Sequence, residues 1–298
     1  MVDVNLYRIR QVIDYIEENL KTPLVLEDIA EVSGISPYYL HRIFHSLTGY
    51  PPAQYIRRRK LSQSFGELLN TQMSILDIAQ EYGFEYQQSY SRAFKRLFHI
   101  SPARFRRDAG TSLTLTPRLD MTELREAGGG ILRLPVYVVK KGFSLAGVRG
   151  LVDYADDVKN AVANRMGLDF FYRQASRIPH RTDPYVYYGY VEDVPGTIRQ
   201  SWYQPSVQVE DLSRIPEGMR GVCVPTRRYA VFTYIGCHSP EKITFSAIKD
   251  LYRVIYVDWA PHSGQSLRDP FHFERIDQRD CGRDFCKMDI YVPVAGMA

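Results

Sequence analysis

Apolar residues fall at helical spacing from Leu6 to Phe105, as in Ile9, Val12, Ile13, Ile16 and Leu20, with brief turn signals between the periodic stretches. This predicts a compact all-α domain over residues 1–108. From 109 to 130 the pattern dissolves into Thr, Ser and Pro and ends in Gly128-Gly129-Gly130, which reads as a linker. Beyond it, short runs rich in Val, Tyr and Ile have the composition of strands. A strand at 136–149, a helix at 156–177 and strands near 185–192 and 201–209 are matched by a strand at 229–236, a helix at 240–257 and strands near 271–276 and 287–293. One β-α-β-β pattern therefore occurs twice, which predicts an α+β domain over 131–298.

The helical part also repeats. Asp28-Ile29-Ala30 and Gly34 recur as Asp77-Ile78-Ala79 and Gly83, while Arg42, Phe44, Pro52 and Ala53 recur one position later in register as Arg92, Phe94, Pro102 and Ala103. One extra residue thus sits in the second turn or in the helix after it. Ala is small enough for two helices to cross closely, and Gly four residues later accepts the positive φ that ends a helix in a sharp turn. Ser36-Pro37 reads as an N-cap and first helical residue, and Ser74 with Asp77 as a capping box. Val25 holds the corresponding cap position in the first unit. The pattern is that of two helix-turn-helix units joined by one helix, roughly Pro52–Leu69, which sets two reading helices about 34 Å apart, one turn of duplex DNA.

On the helix after each turn, Leu40, Ile43, Phe44 and Leu47, and again Tyr90, Ala93, Phe94 and Leu97, form the inward stripe. The opposite faces present Tyr38, Tyr39, His41 and Arg42 in the first unit, and Gln87, Gln88, Ser89, Ser91 and Arg92 in the second. Arg bonds guanine bidentately and Gln bonds adenine, so these are the candidate contacts to double-stranded DNA. A solvated helix face uses the same residue types, and it is the duplication that favours DNA. The formal net charge of +4 is shared evenly between residues 1–108 and the rest, so clustering carries more information than the total. Arg57-Arg58-Arg59-Lys60, and Arg92, Lys95, Arg96, Arg104, Arg106 and Arg107, are candidate phosphate contacts.

The four cysteines, Cys223, Cys237, Cys281 and Cys286, form no Cys-x-x-Cys pair and read as reduced thiols. With His262 and His272 they match no zinc spacing, so neither a metal nor a cofactor is expected. The N-terminus has no apolar leader and no apolar run approaches the length of a membrane span, giving a cytoplasmic expectation without a membrane partner. Nucleophile elbows, His-Glu-x-x-His and phosphate-binding glycine loops do not occur, so the chain is not expected to be an enzyme.

The run Ile78-Ala-x-x-Tyr-Gly-Phe84, then Gln87-Gln88-Ser-Tyr-Ser-Arg92-Ala-Phe94-Lys, closing on Ser101-Pro102-Ala-x-Phe-Arg106, resembles the AraC/XylS signature. The resemblance covers residues 6–107 and implies a bacterial transcription regulator with two helix-turn-helix units. Later, Arg228-Tyr229-Ala230-Val231-Phe232, Asp258-Trp259, Phe273-Glu274 and Asp289-Ile-Tyr-Val-Pro293 resemble a GyrI-like effector-binding domain over about 133–296. Reader first and sensor second is similar to the Rob type of domain order. In such domains two β-α-β-β halves face a cleft, and a central acidic residue answers a cationic ligand among aromatic rings.

The resemblance places Glu274 in that role, with Tyr188 and Trp259 as the aromatic candidates for a small lipophilic effector. Read from the residues alone, Glu274 is equally an exposed strand residue or the partner of Arg275 or Arg279. Two alternatives stay open for this domain. It is a hydrolase using its Glu, His, Tyr and Cys, or a module that only recruits a protein such as RNA polymerase.

Overall fold

The computed structural model describes residues 6–108, 113–267 and 269–295. Two compact units divide between Met121 and Thr122. The first is helical: α1 (Leu6–Glu18), α2 (Leu26–Ser33), α3 (Pro37–Thr48), α4 (Pro52–Gln63), α5 (Phe65–Asn70), α6 (Ile75–Glu81), α7 (Gln87–Phe98) and α8 (Pro102–Arg107). Ile9, Val12, Ile13 and Ile16 of α1 are buried, as are Ile29, Leu40, Ile43 and Phe44 of α2 and α3. A second core gathers Phe65, Tyr90, Phe94, Phe98 and Phe105, whose rings meet edge to face or tilted at 4.6–5.9 Å.

Each local signal has its counterpart. Ser36 Oγ accepts the Tyr39 N–H ahead of Pro37, and Ser74 and Asp77 close a reciprocal capping box. Val25 caps α2 with no side-chain bond. Gly34 (φ 62°) and Gly83 (φ 73°) take the left-handed turn that L side chains resist. The extra residue lies in the second turn, since α3 and α7 both have 12 residues, with two positions between Gly34 and Pro37 and three between Gly83 and Gln87. The linking helix is two segments, not one. At Ser64, where α4 passes into α5, the hydroxyl donates back to the Leu61 carbonyl, a bond that competes with the helical ladder.

The expected linker does not behave as one. Its first positions, 109–112, lie outside the described residues, but Thr116 and Leu119 are buried against the helical unit. Ser62 Oγ accepts the Thr116 N–H, Arg59 donates to the Thr116 carbonyl at 2.7 Å, and Tyr55 Oη accepts the Leu119 N–H. The glycines at its end are a hairpin turn. Gly128 and Gly129, both at positive φ, join β1 (Leu124–Ala127) to β2 (Gly130–Lys140), the backbone pattern a two-residue turn needs to match strand twist.

After β2 come β3 (Phe143–Gly147), β4 (Gly150–Asp153), α9 (Tyr154–Asn160), α10 (Val162–Asp169), β5 (Val186–Asp193), β6 (Gln200–Val209), β7 (Arg220–Val224), β8 (Arg227–Gly236), α11 (Phe245–Tyr252), β9 (Phe271–Asp277) and β10 (Cys286–Val294). The ten strands among the described residues join one antiparallel sheet in the order β1-β2-β8-β10-β9-β5-β6-β3-β7, with β4 also on β6. The two β-α-β-β halves meet where β5 pairs with β9. In each half the helix widens into a π-helical turn at its C-terminal end, Phe170–Gln174 and Arg253–Trp259. The strand expected at 136–149 is two strands, β2 and β3. One apolar cluster holds Phe232, Met288 and Ile290 with Leu251, Val254 and Ile255 of the α11 region; another holds Tyr188, Tyr229 and Phe273 from alternate strand positions.

Candidate functional site

In the helical unit, α3 and α7 each bury one stripe and present the other. Tyr38 and His41 are exposed, with Tyr39 and Arg42 half-buried beside them. Arg42 Nη1 donates to Tyr38 Oη at 2.8 Å and its guanidinium lies over the Tyr38 ring, so the first face carries a coupled Arg–Tyr pair one helical turn apart. On α7, Gln87, Gln88, Ser89 and Arg92 are exposed and Ser91 is half-buried, while Tyr90 and Phe94 face the core.

The basic tract on α4 divides differently from its sequence. Only Arg57 is exposed. Arg58 lies over the Tyr50 ring, and Arg59 forms a two-bond pair with Glu17 at 2.6 and 2.8 Å, both side chains nearly buried. Lys60 Nζ donates to the Thr22 and Tyr82 carbonyls, one from each half of the unit, and burial lowers its pKa. Arg59 and Lys60 are therefore internal struts and not phosphate contacts. Arg106 likewise donates to the Leu68 carbonyl, whereas Arg92, Lys95, Arg96, Arg104 and Arg107 are exposed.

The second unit holds a cavity of about 150 Å³ under α9, α10 and α11. Its wall includes Tyr154, Tyr172, Tyr187, Tyr203, Phe245 and Tyr252, together with the acidic residues Asp157, Glu241 and Glu274, of which Asp157 accepts the Ala163 N–H and Glu241 the Tyr172 hydroxyl. No Lys, Arg or His is among its described lining residues. Glu274 is placed by strand register. It pairs with Gly189 across β5 and β9, and cross-strand partners point to the same face. A Cβ at Gly189 would come within 2.7 Å of Glu274 Oε2, so the glycine makes the room that the carboxylate occupies.

Neither arginine considered as a partner reaches it, since Arg275 and Arg279 both pair with Asp277. Instead Tyr252 Oη donates to Glu274 Oε1 at 2.6 Å. Burial pushes the Glu274 pKa up to about 7, the Tyr252 bond only partly opposing it. Burial also holds His272 neutral, its pKa lowered to about 4. His272 Nε2 lies 2.7 Å from Tyr252 Oη and Nδ1 lies 3.0 Å from Tyr256 Oη. With the Tyr252 proton given to an ionised Glu274, Nε2 must carry the imidazole proton and Nδ1 accepts from Tyr256. Tyr187 and Tyr203 share a hydroxyl–hydroxyl bond beside this chain.

Of the three expected ligand contacts, only Glu274 lines the cavity. Tyr188 is one residue out of phase: it faces the opposite side of β5, packs on Phe143 and Phe273, and donates to Gln208 Oε1. Trp259 closes the π-helical turn edge-on against Phe232. The residues missed are Tyr187, Tyr203, Tyr252 and the two further carboxylates. Glu274 with period-two alternation would have selected Tyr187 over Tyr188 once the β5–β9 register was known.

Residues 135–295 match the GyrI-like small molecule binding domain family, and residues 29–108 match a helix-turn-helix domain. The chain is an AraC-type transcription regulator with a C-terminal GyrI-like domain. MarA, the multiple antibiotic resistance protein of Escherichia coli, is 42% identical over 98 residues, 33% of this chain and 77% of MarA. The Tn10 TetD protein of Escherichia coli is 41% identical over 100 residues, 34% of this chain and 72% of TetD. The transcriptional regulator Rob of Salmonella typhimurium is 29% identical over 236 residues, 76% of this chain and 78% of Rob, and so shares both domains in this order. This AraC-type chain is thus a DNA-binding regulator. No helix among its described residues is long and apolar enough to cross a membrane.

Proposed function

We propose that this regulator reads duplex DNA through the exposed faces of α3 and α7 and senses a small lipophilic cation in the cavity of its GyrI-like domain. The observation that carries the second half is a cavity lined by aromatic and three acidic residues, with no basic residue among its described lining. Rings beside a carboxylate are what hold a desolvated organic cation. About 150 Å³ suits a group of one-ring size.

Benzyltrimethylammonium and its neutral carbon isostere are suitable probes. Glu274→Gln is expected to weaken the cation by about 1–3 kcal/mol, the scale of a charge-assisted hydrogen bond or close ion pair, and to leave the isostere nearly unchanged. Calorimetry decides it, and equal loss for both probes sinks the cation reading. Because the apo carboxyl titrates near 7, cation affinity should also rise with pH up to about 7 and level off above it, while Glu274→Gln is flat. Hydrolysis of an ester probe, lost with Glu274→Gln, would favour the enzyme reading instead, with the buried carboxyl as acid–base group.

For DNA, Arg42→Ala and Arg92→Ala are each expected to weaken specific binding by about 1–3 kcal/mol and to relax base preference at separate positions. Footprinting at fixed salt is the measurement. Equal weakening on random duplex would make them phosphate contacts. Tyr38→Phe keeps the ring over Arg42 and removes the hydroxyl, so it should reproduce part of the Arg42→Ala loss.

A further inference from the structure

The loop between β9 and β10 brings two cysteines close together, Cys281 packing on the apolar cluster that holds Cys286. Gly282 and Phe285 form an isolated antiparallel bridge, the Gly282 N–H donating to the Phe285 carbonyl at 2.8 Å across the two-residue turn Arg283-Asp284. One residue further out on each side stand Cys281 and Cys286, which extending the ladder by one pair would set directly opposite each other. Sites flanking a hydrogen-bonded pair are the close ones, with Cα atoms about 4.5 Å apart, inside the span of about 4.4–6.8 Å that a disulfide bridges.

The two thiols sit in different surroundings. Cys281 is partly exposed beside a shallow charged surface that includes Lys242, Arg283 and Asp284, whereas Cys286 is fully buried. Cys281 Sγ lies 3.8 Å from the Lys287 carbonyl, directly after Cys286, and Cys286 Sγ lies 3.7 Å from His238 Nδ1. Burial raises the Cys286 thiol, and the neighbouring Cys281 raises it further. The accessible thiol is therefore the first to meet an oxidant, and the buried one is placed to resolve it.

We propose that Cys281 and Cys286 are a peroxide-oxidisable dithiol that closes to a cross-strand disulfide. The Cys281 thiolate attacks hydrogen peroxide; the O–O bond breaks, Cys281 becomes a sulfenic acid and hydroxide leaves. Cys286 sulfur then attacks the Cys281 sulfur, the S–O bond breaks, and the departing hydroxide takes the Cys286 proton as water. Two electrons pass from the thiols to the peroxide, and a thiol reductant reverses the change. The inference does not depend on the cation reading.

The full-length C223S/C237S variant leaves this pair alone. After peroxide, alkylation and tryptic digestion without reductant, cleavage at Arg279, Arg283 and Lys287 separates the two cysteines. The expected product is residues 280–283 joined to 284–287, two hydrogens lighter than the separate peptides and split by dithiothreitol. Adding C281S should abolish it, and the wild-type chain should give the same joined peptides. Two separately alkylated peptides, a sulfinic acid at Cys281 with Cys286 alkylated, or a wild-type cross-link from Cys286 to Cys237 would overturn the proposal.

Discussion

Arg59→Ala is expected to lower the unfolding free energy of the helical unit by about 3–5 kcal/mol, because it strands a buried carboxylate. Glu17 is nearly buried and loses both bonds to the guanidinium, and the Thr116 carbonyl loses its donor as well. Arg57→Ala, two residues away and exposed, should stay within about 0.5 kcal/mol of wild type. Urea unfolding followed by helical circular dichroism separates the two. The DNA readout should move the other way, with only Arg57 able to act on the salt dependence of binding among folded variants. A stable Arg59→Ala with a reduced salt slope would return Arg59 to the phosphate contacts. Lys60→Met belongs with Arg59, since it leaves the Thr22 and Tyr82 carbonyls without their ammonium donor at about 1–3 kcal/mol each.

That pair of variants marks where sequence reading ends. Four consecutive basic residues look alike in a sequence, but on α4 they point around a helix that is covered on more than one side. Arg59 and Lys60 are turned inward by its position between the two helix-turn-helix units. The units themselves were legible because their signals are local: a cap, a positive-φ glycine and a repeated apolar stripe act within one or two turns of helix. The hairpin at Gly128-Gly129 was local too. It was missed because a glycine run flanked by polar residues reads first as a linker, although paired positive φ is what a tight hairpin demands. The sensor half shows the opposite case. Strand composition and the doubled β-α-β-β order could be read, but the choice between Tyr187 and Tyr188 depends on the long-range pairing of Gly189 with Glu274. The π-helical turn that follows Tyr252 and ends at Trp259 has no sequence signal of this kind, and the helix face that brings Tyr252 to Glu274 is set by long-range packing, so the tyrosine that bonds Glu274 could not be chosen from the rest.

Glu274→Gln is expected to change the pH dependence of stability by about 3 kcal/mol. The folded pKa, about 7, lies above the ordinary value of 4.5, so the native state favours the protonated form. The resulting stability is complete below about pH 4.5 and is lost as pH rises through 7; above that, the buried site must hold an ionised carboxylate to which, among the described residues, Tyr252 donates. His272, its pKa lowered to about 4 by burial, supplies no compensating charge near neutrality. Wild type should therefore fall relative to Glu274→Gln between pH 4.5 and about pH 8, and the two curves should run parallel beyond. Denaturant unfolding of the GyrI-like unit across this range is the measurement. A difference independent of pH would mean that Glu274 titrates as an ordinary surface carboxyl. A saturating organic cation should reverse the trend, since it binds the ionised form and restores at high pH the stability that burial takes away. The same carboxylate that costs the empty domain stability near neutrality is thus the group through which a bound cation would pull the domain toward its liganded state, by at most the differential affinity it has for the two.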